Sequence, residues 1–143
     1  MTWLYELKEL AKKEREVKER GALRIKSFED TLKLLSPRVD VILNELALSL
    51  WGKRKYRYRC YQDFSNGYAY SWKVSYPLRR FGVMPYAKIK ISLNFLSFEK
   101  FDVFVINKGQ HRSIFSLDCS EESLKTVLVQ QCVAVHLYPT VLV

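Results

Sequence analysis

Apolar residues recur every three to four positions over the first third of the chain and every second position over its middle. The first period belongs to helices and the second to strands with one buried face. Residues 3–20 read as a helix, with Trp3, Leu4, Leu7, Leu10 and Ala11 on its stripe and the mixed-sign run KKEREVKER as a solvated face. Gly21 is expected to stop it. Ser27 opens a second helix, with Asp30 close to a capping-box position and Phe28, Leu32 and Leu35 as its stripe. Ser36-Pro37 is expected to restart the helix, with Ser as N-cap and Pro in the first turn. Val39, Ile42, Leu43, Leu46, Ala47 and Leu50 then form a strong apolar face that ends at Gly52.

From residue 54 the period is two. Strands are expected over 54–64 and 68–76, joined through Ser65-Asn66-Gly67. A two-residue Asn-Gly turn would pair Arg59 with Val74 and mix the faces. A three-residue loop with Gly67 in the left-handed region pairs Cys60 with Trp72 and Tyr58 with Val74. That register collects Tyr56, Tyr58, Cys60, Phe64, Tyr68, Tyr70, Trp72, Val74 and Tyr76 on one face. Lys55, Arg57, Arg59, Tyr61 and Lys73 fall on the other. A one-residue slip exposes a whole apolar face, so the second register is expected.

Residues 87–97 alternate again, with Ile89, Ile91, Leu93 and Phe95 opposite Lys88, Lys90, Ser92 and Asn94. Strands 101–107 and 112–118 follow, around a turn at Asn107-Lys108-Gly109-Gln110 that also holds His111. Ser120, Glu121 and Glu122 open a last helix over roughly 121–137, and Val141 to Val143 read as a short final strand. The expected fold class is α+β, one domain over 1–143. It has N-terminal helices (1–52), an antiparallel meander of four to five strands (53–118), and a C-terminal helix and tail (119–143) packed on one sheet face.

A chain of 143 residues with 48% hydrophobic content can bury a core without staples. The cysteines are Cys60, Cys119 and Cys132, an odd number with no C-x-x-C pair, read as small buried hydrophobes in a reducing cytoplasm. With only His111 and His136 beside them, no tight four-ligand zinc pattern exists, and no cofactor or metal is expected. No signal peptide and no 18-residue apolar run stand out, so no membrane partner is expected.

Charge changes the picture. Residues 53–90 hold ten Lys/Arg against one Asp/Glu, which accounts for the whole formal net charge of +9. A localised excess makes a local field that attracts counter-charges. Lys55, Arg57, Arg59, Lys73, Lys88 and Lys90 are the candidate polyanion-binding residues, with Arg79 and Arg80 as a loop clamp and Tyr61, Phe81 and Tyr86 as candidates for base stacking. The expected function is non-catalytic binding of nucleic acid or another polyanion. The alternative is an adaptor that meets an acidic protein. The competing structural reading is that strand lysines deter edge pairing and their stems cover apolar surface.

Two resemblances are partial. Helices 27–35 and 37–51 followed by a basic hairpin resemble, in outline, a winged helix-turn-helix, although after Arg38 the second helix carries Asp40, Asn44 and Glu45 and no cation before Lys53. Asp102 and Asp118 on consecutive strands, with Glu99 near, resemble metal-dependent nucleases of the PD-(D/E)xK type. That resemblance implies a degenerate domain, because Ser116-Leu117-Asp118 lacks the following Lys. No phosphate-cradling glycine loop and no G-x-S-x-G elbow is present.

Overall fold

The computed structural model describes residues 2–52, 56–64, 68–77 and 86–139. The elements in chain order are α1 (Thr2–Trp51), β1 (Arg57–Asp63), β2 (Ala69–Pro77), β3 (Tyr86–Asn94), β4 (Ser97–Asn107), β5 (Gly109–Ser116) and α2 (Glu121–Ala134). This is an α+β fold, with the five strands paired antiparallel in the order β1-β2-β3-β4-β5. The chain divides into two compact units, Met1–Leu34 and Leu35–Val143. No helix among the described residues is long and apolar enough to cross a membrane.

The expected three N-terminal helices are one. α1 runs through Gly21 and keeps Pro37 inside it. A glycine costs a helix about 1 kcal/mol, which a run of strong helix formers absorbs. Pro37 removes one backbone donor, but the buried positions Leu35, Val39, Ile42, Leu43, Ala47 and Leu50 stay on one stripe only if the helix continues past it. With no turn at Ser36-Pro37, the winged helix-turn-helix outline does not hold. Gly52 does end α1, at φ 62°, with its N–H on the Leu48 carbonyl at 2.8 Å.

The β1–β2 register is the expected one: Tyr58 pairs with Val74 and Cys60 with Trp72. The loop 65–67 that sets it, with Gly67, lies outside the described residues, as does the strand expected at 141–143. β3 ends earlier than its alternation suggests. Asn94 pairs with Ser97, and its side-chain oxygen accepts from the Leu96 N–H at 2.8 Å, closing a tight turn over Phe95-Leu96. The β4–β5 hairpin is also tighter than expected. Asn107 pairs with Gly109 at φ 118°, and His111 lies in β5 rather than in a turn.

One sheet face forms the core of the second unit. Trp72, Val74, Ile89, Ile91, Leu93, Phe101, Val103 and Val105 are buried there with the stripe of α1 from Leu35 onward and with Leu124, Leu128 and Cys132 of α2. Trp51 stacks on Tyr76 with centroids 5.5 Å apart. This part of α1 is tied at both edges of the sheet. On the β1 side Tyr58 donates its hydroxyl to Asp40. On the β5 side Arg38 donates to the carbonyls of Leu117 and Cys119 at 3.1 and 3.0 Å. Cys60, expected in the core, is exposed, as is Phe64. They share the apolar face but sit on the edge strand, beyond the Tyr58 contact.

α2 starts as expected, with Ser120 as N-cap accepting from the Ser123 N–H and Glu121 and Glu122 in the first turn. It stops at Ala134, short of the expected 137. The Leu137 N–H bonds the Cys132 carbonyl and the His136 N–H bonds that of Val133, with His136 at φ 58°. This is a Schellman cap with histidine where glycine is usual. Asn107 donates to the carbonyls of Val135 and His136 at 3.2 and 3.0 Å, fastening the β4–β5 hairpin to the end of α2.

Trp51→Ala should lower stability by about 3–5 kcal/mol, read from urea unfolding followed by circular dichroism. At position 136 the left-handed backbone favours glycine. His136→Gly should therefore hold or raise the melting temperature, whereas His136→Val should cost about 1 kcal/mol; equal melting temperatures for the two variants would contradict the cap.

Candidate nucleic-acid interface

The face opposite the core gathers the basic residues because period-two strands put them there and the pairing brings the strands into line. Arg59 pairs with Lys73, Lys73 with Lys90, Lys90 with Phe104 and Phe104 with Arg112. Four cations and one aromatic ring thus cross all five strands in a single row, over a width of roughly 19 Å at the usual strand spacing. A second row runs Arg57, Ser75, Lys88. Arg57, Arg59, Lys73 and Lys88 line one shallow polar cleft together with Ser75.

Small buried residues lie beneath the cationic stems. Ser71, Ser75 and Ser92 are buried although they belong to the solvent-side face, and the Ser71 hydroxyl donates to that of Ser92 at 3.0 Å. Long neighbouring side chains cover them while carrying their charges to solvent. The rings in the array hold cations. Lys73 and Lys90 each lie 5.8 Å from the Tyr61 ring centroid. Lys90 lies 5.5 Å and Arg112 5.6 Å from that of Phe104. Each such contact contributes about 0.5–1 kcal/mol at an exposed site and positions the ammonium or guanidinium.

Among the described residues this face carries few anions, with Asp63 at the end of β1 and Asp102 in β4. Asp102 accepts from Arg112 Nη2 at 3.0 Å. None of Arg57, Arg59, Lys73, Lys88 and Lys90 is ion-paired with a carboxylate among the described residues. Crowding leaves a mark on Lys88, whose pKa is lowered by burial first and then by the charges of Lys73 and Lys90.

The structure therefore brings together Arg57, Arg59, Lys73, Lys88 and Lys90, with Tyr61 among them. Lys55, Arg79, Arg80 and Phe81 lie outside the described residues, as does the side chain of Tyr86, which opens β3. Phe104 and Arg112 are additions that sequence reasoning missed. Their strands are evident in the sequence, but the face each residue takes follows from β4–β5 pairing rather than from local alternation.

The other chemistry-bearing residues are dispersed. Asp102 lies within β4, held by Arg112, while Asp118 lies beyond the end of β5 and accepts from the Ser116 hydroxyl. Among the described residues no three His, Cys, Asp or Glu side chains group as a metal site. Burial pushes the Cys132 thiol up to about 11 and raises that of Cys119, so both are held as thiols at neutral pH. Arg38 and Asp40, read from the sequence as part of a recognition helix, are the two clamps of α1. No protein-family model, curated protein or solved structure matches the chain.

Proposed function

We propose that this chain binds nucleic acid, as a polyanion, through the outer face of its sheet. The observation that carries the reading is the row Arg59, Lys73, Lys90, Arg112 with its flanking pair Arg57 and Lys88. Among the described residues only Arg112 of these six has a carboxylate partner. Guarding a sheet edge does not account for the cluster. Lys73, Lys88 and Lys90 lie on β2 and β3, which are interior strands. Covering apolar surface accounts for part of it, since Lys73, Lys90 and Arg112 lie over the Tyr61 and Phe104 rings, but Arg57, Arg59, Lys73 and Lys88 also line a cleft with Ser75. The charge of Lys88 is disfavoured in the free fold, by burial first and then by the charges of Lys73 and Lys90, and the second part is a repulsion that a bound anion relieves. A phosphate backbone is such an anion and exchanges its condensed counterions for these cations. No base, nucleophile and orienting group come together on this face among the described residues, and the reading is one of binding. An acidic protein meeting the same cations is the alternative. It predicts saturable binding to one protein that excess DNA does not displace.

Fluorescence anisotropy with short single- and double-stranded DNA and RNA at two salt concentrations tests the proposal. Six cations in contact imply a log–log salt slope of about −5 on duplex. Arg57→Glu/Arg59→Glu should weaken binding by about 100-fold or more while the thermal melt is unchanged. Absence of binding at low salt would sink the proposal.

Lys88 adds a pH signature. Its pKa is depressed in the free fold, so its charged form is a cost present in full below that pKa and relieved as pH rises through it. A bound phosphate favours the charged form and moves the pKa back up. Binding should therefore take up a proton in the alkaline window between the two values, and affinity should fall as pH rises through it. Calorimetry in buffers of different ionisation enthalpy reads the proton, and Lys88→Met should abolish its uptake.

A further inference from the structure

The first unit carries a second surface, independent of the basic sheet. In α1, Trp3, Leu7, Leu10, Val17 and Ile25 recur at helical spacing and fall on one stripe. Their exposures lie between 51% and 64%. An uncovered seam of this length is a surface made for a partner helix.

The charges beside the seam select the partner. At 3.6 residues per turn, Lys13 and Arg20 border it on one side and Arg15 and Lys18 on the other. Glu16 and Glu19 lie on the far side of the helix. Glu6 and Glu9 stand on the Lys13 side, nearer the N-terminus. Glu14 stands in the seam itself, 4.0 Å from Lys18. Over residues 13–20 the bordering charges are thus all cations, and a second copy aligned there sets cation against cation. A lipid surface would have to draw Glu14 out of water together with the Lys18 ammonium beside it. Between residues 12 and 24 it would also gain only Val17 as a large apolar contact on the seam.

We infer that the exposed seam of α1 docks an amphipathic helix of a partner protein whose own apolar seam is bordered by Asp or Glu. The partner's leucine-type residues fill the spaces between Trp3, Leu7, Leu10, Val17 and Ile25. Its carboxylates meet Lys13, Arg15, Lys18 and Arg20, and a cationic side chain on its seam pairs with Glu14.

Trp3 reports directly on this surface. It is 60% exposed, whereas Trp51 and Trp72 are each 1% exposed. The full chain would be titrated with a synthetic helix of about four heptads carrying a leucine–isoleucine seam and Glu flanks. A second peptide would keep the seam and carry Lys flanks. A saturable blue shift of Trp3 emission with the Glu peptide, at least about tenfold tighter than with the Lys peptide, is the expected result. Leu7→Asp/Leu10→Asp, at exposed positions, should abolish the shift while circular dichroism and nucleic-acid binding stay unchanged. Equal binding of the two peptides, no shift with the Glu peptide, dimerisation of the chain alone in sedimentation equilibrium, or an equal shift on phosphatidylserine vesicles would each overturn the inference.

Discussion

Both faces of the sheet depend on one pairing register. Cys60 opposite Trp72, Trp72 opposite Ile91 and Ile91 opposite Val103 places three of these four residues in the core. The residues next to them in each strand then make the row Arg59, Lys73, Lys90, Phe104, Arg112 on the opposite side. Because the side-chain period is two, a slip of one residue in β2 would point Lys73 into the apolar layer and Trp72 into water. The hydrophobic effect that forms the core is therefore also what assembles the cationic row, and neither can be changed without the other.

Helices hold that arrangement from behind. Tyr58 to Asp40 and Arg38 to the carbonyls of Leu117 and Cys119 pin α1 at the two edges of the sheet. Burial and the Asp40 bond push the Tyr58 hydroxyl well above the ordinary tyrosine range, which keeps it a donor at any working pH. The cap of α2, the Asn107 bonds and the β4–β5 hairpin form a third fastening. A rigid sheet matters for a charge array. On the proposed reading, cations already spaced by backbone pairing would lose little freedom on binding a polyanion, whereas the same residues on a loop would have to be ordered at that moment.

Much of the fold was legible because the two periods are clean. The switch from 3.6 to 2 near Gly52, the β1–β2 register and the Ser120 cap can all be read from local residue types. The errors have physical causes. Gly21 and Ser36-Pro37 are strong local stop signals, but their cost is small beside the continuous stripe Leu35, Val39, Ile42, Leu43 that an unbroken helix buries. Phe95 fits the alternation of β3, yet Asn94 offers its side chain to the Leu96 N–H and turns the chain first. Cys60 fits the apolar face, yet an edge strand extends beyond its cover.

By itself the sequence determined the α+β class and the localised charge, and it singled out eight candidate cations, of which Arg57, Arg59, Lys73, Lys88 and Lys90 lie among the described residues, because alternation and composition are local properties. Tertiary structure alone decided that these cations align across strands, that Phe104 and Arg112 complete the row, that Phe28, Leu35, Val39 and Leu43 of α1 are buried, and that Trp3, Leu7 and Leu10 are exposed. Cross-strand pairing and burial join residues far apart in the chain, and no window of neighbouring residues contains that information.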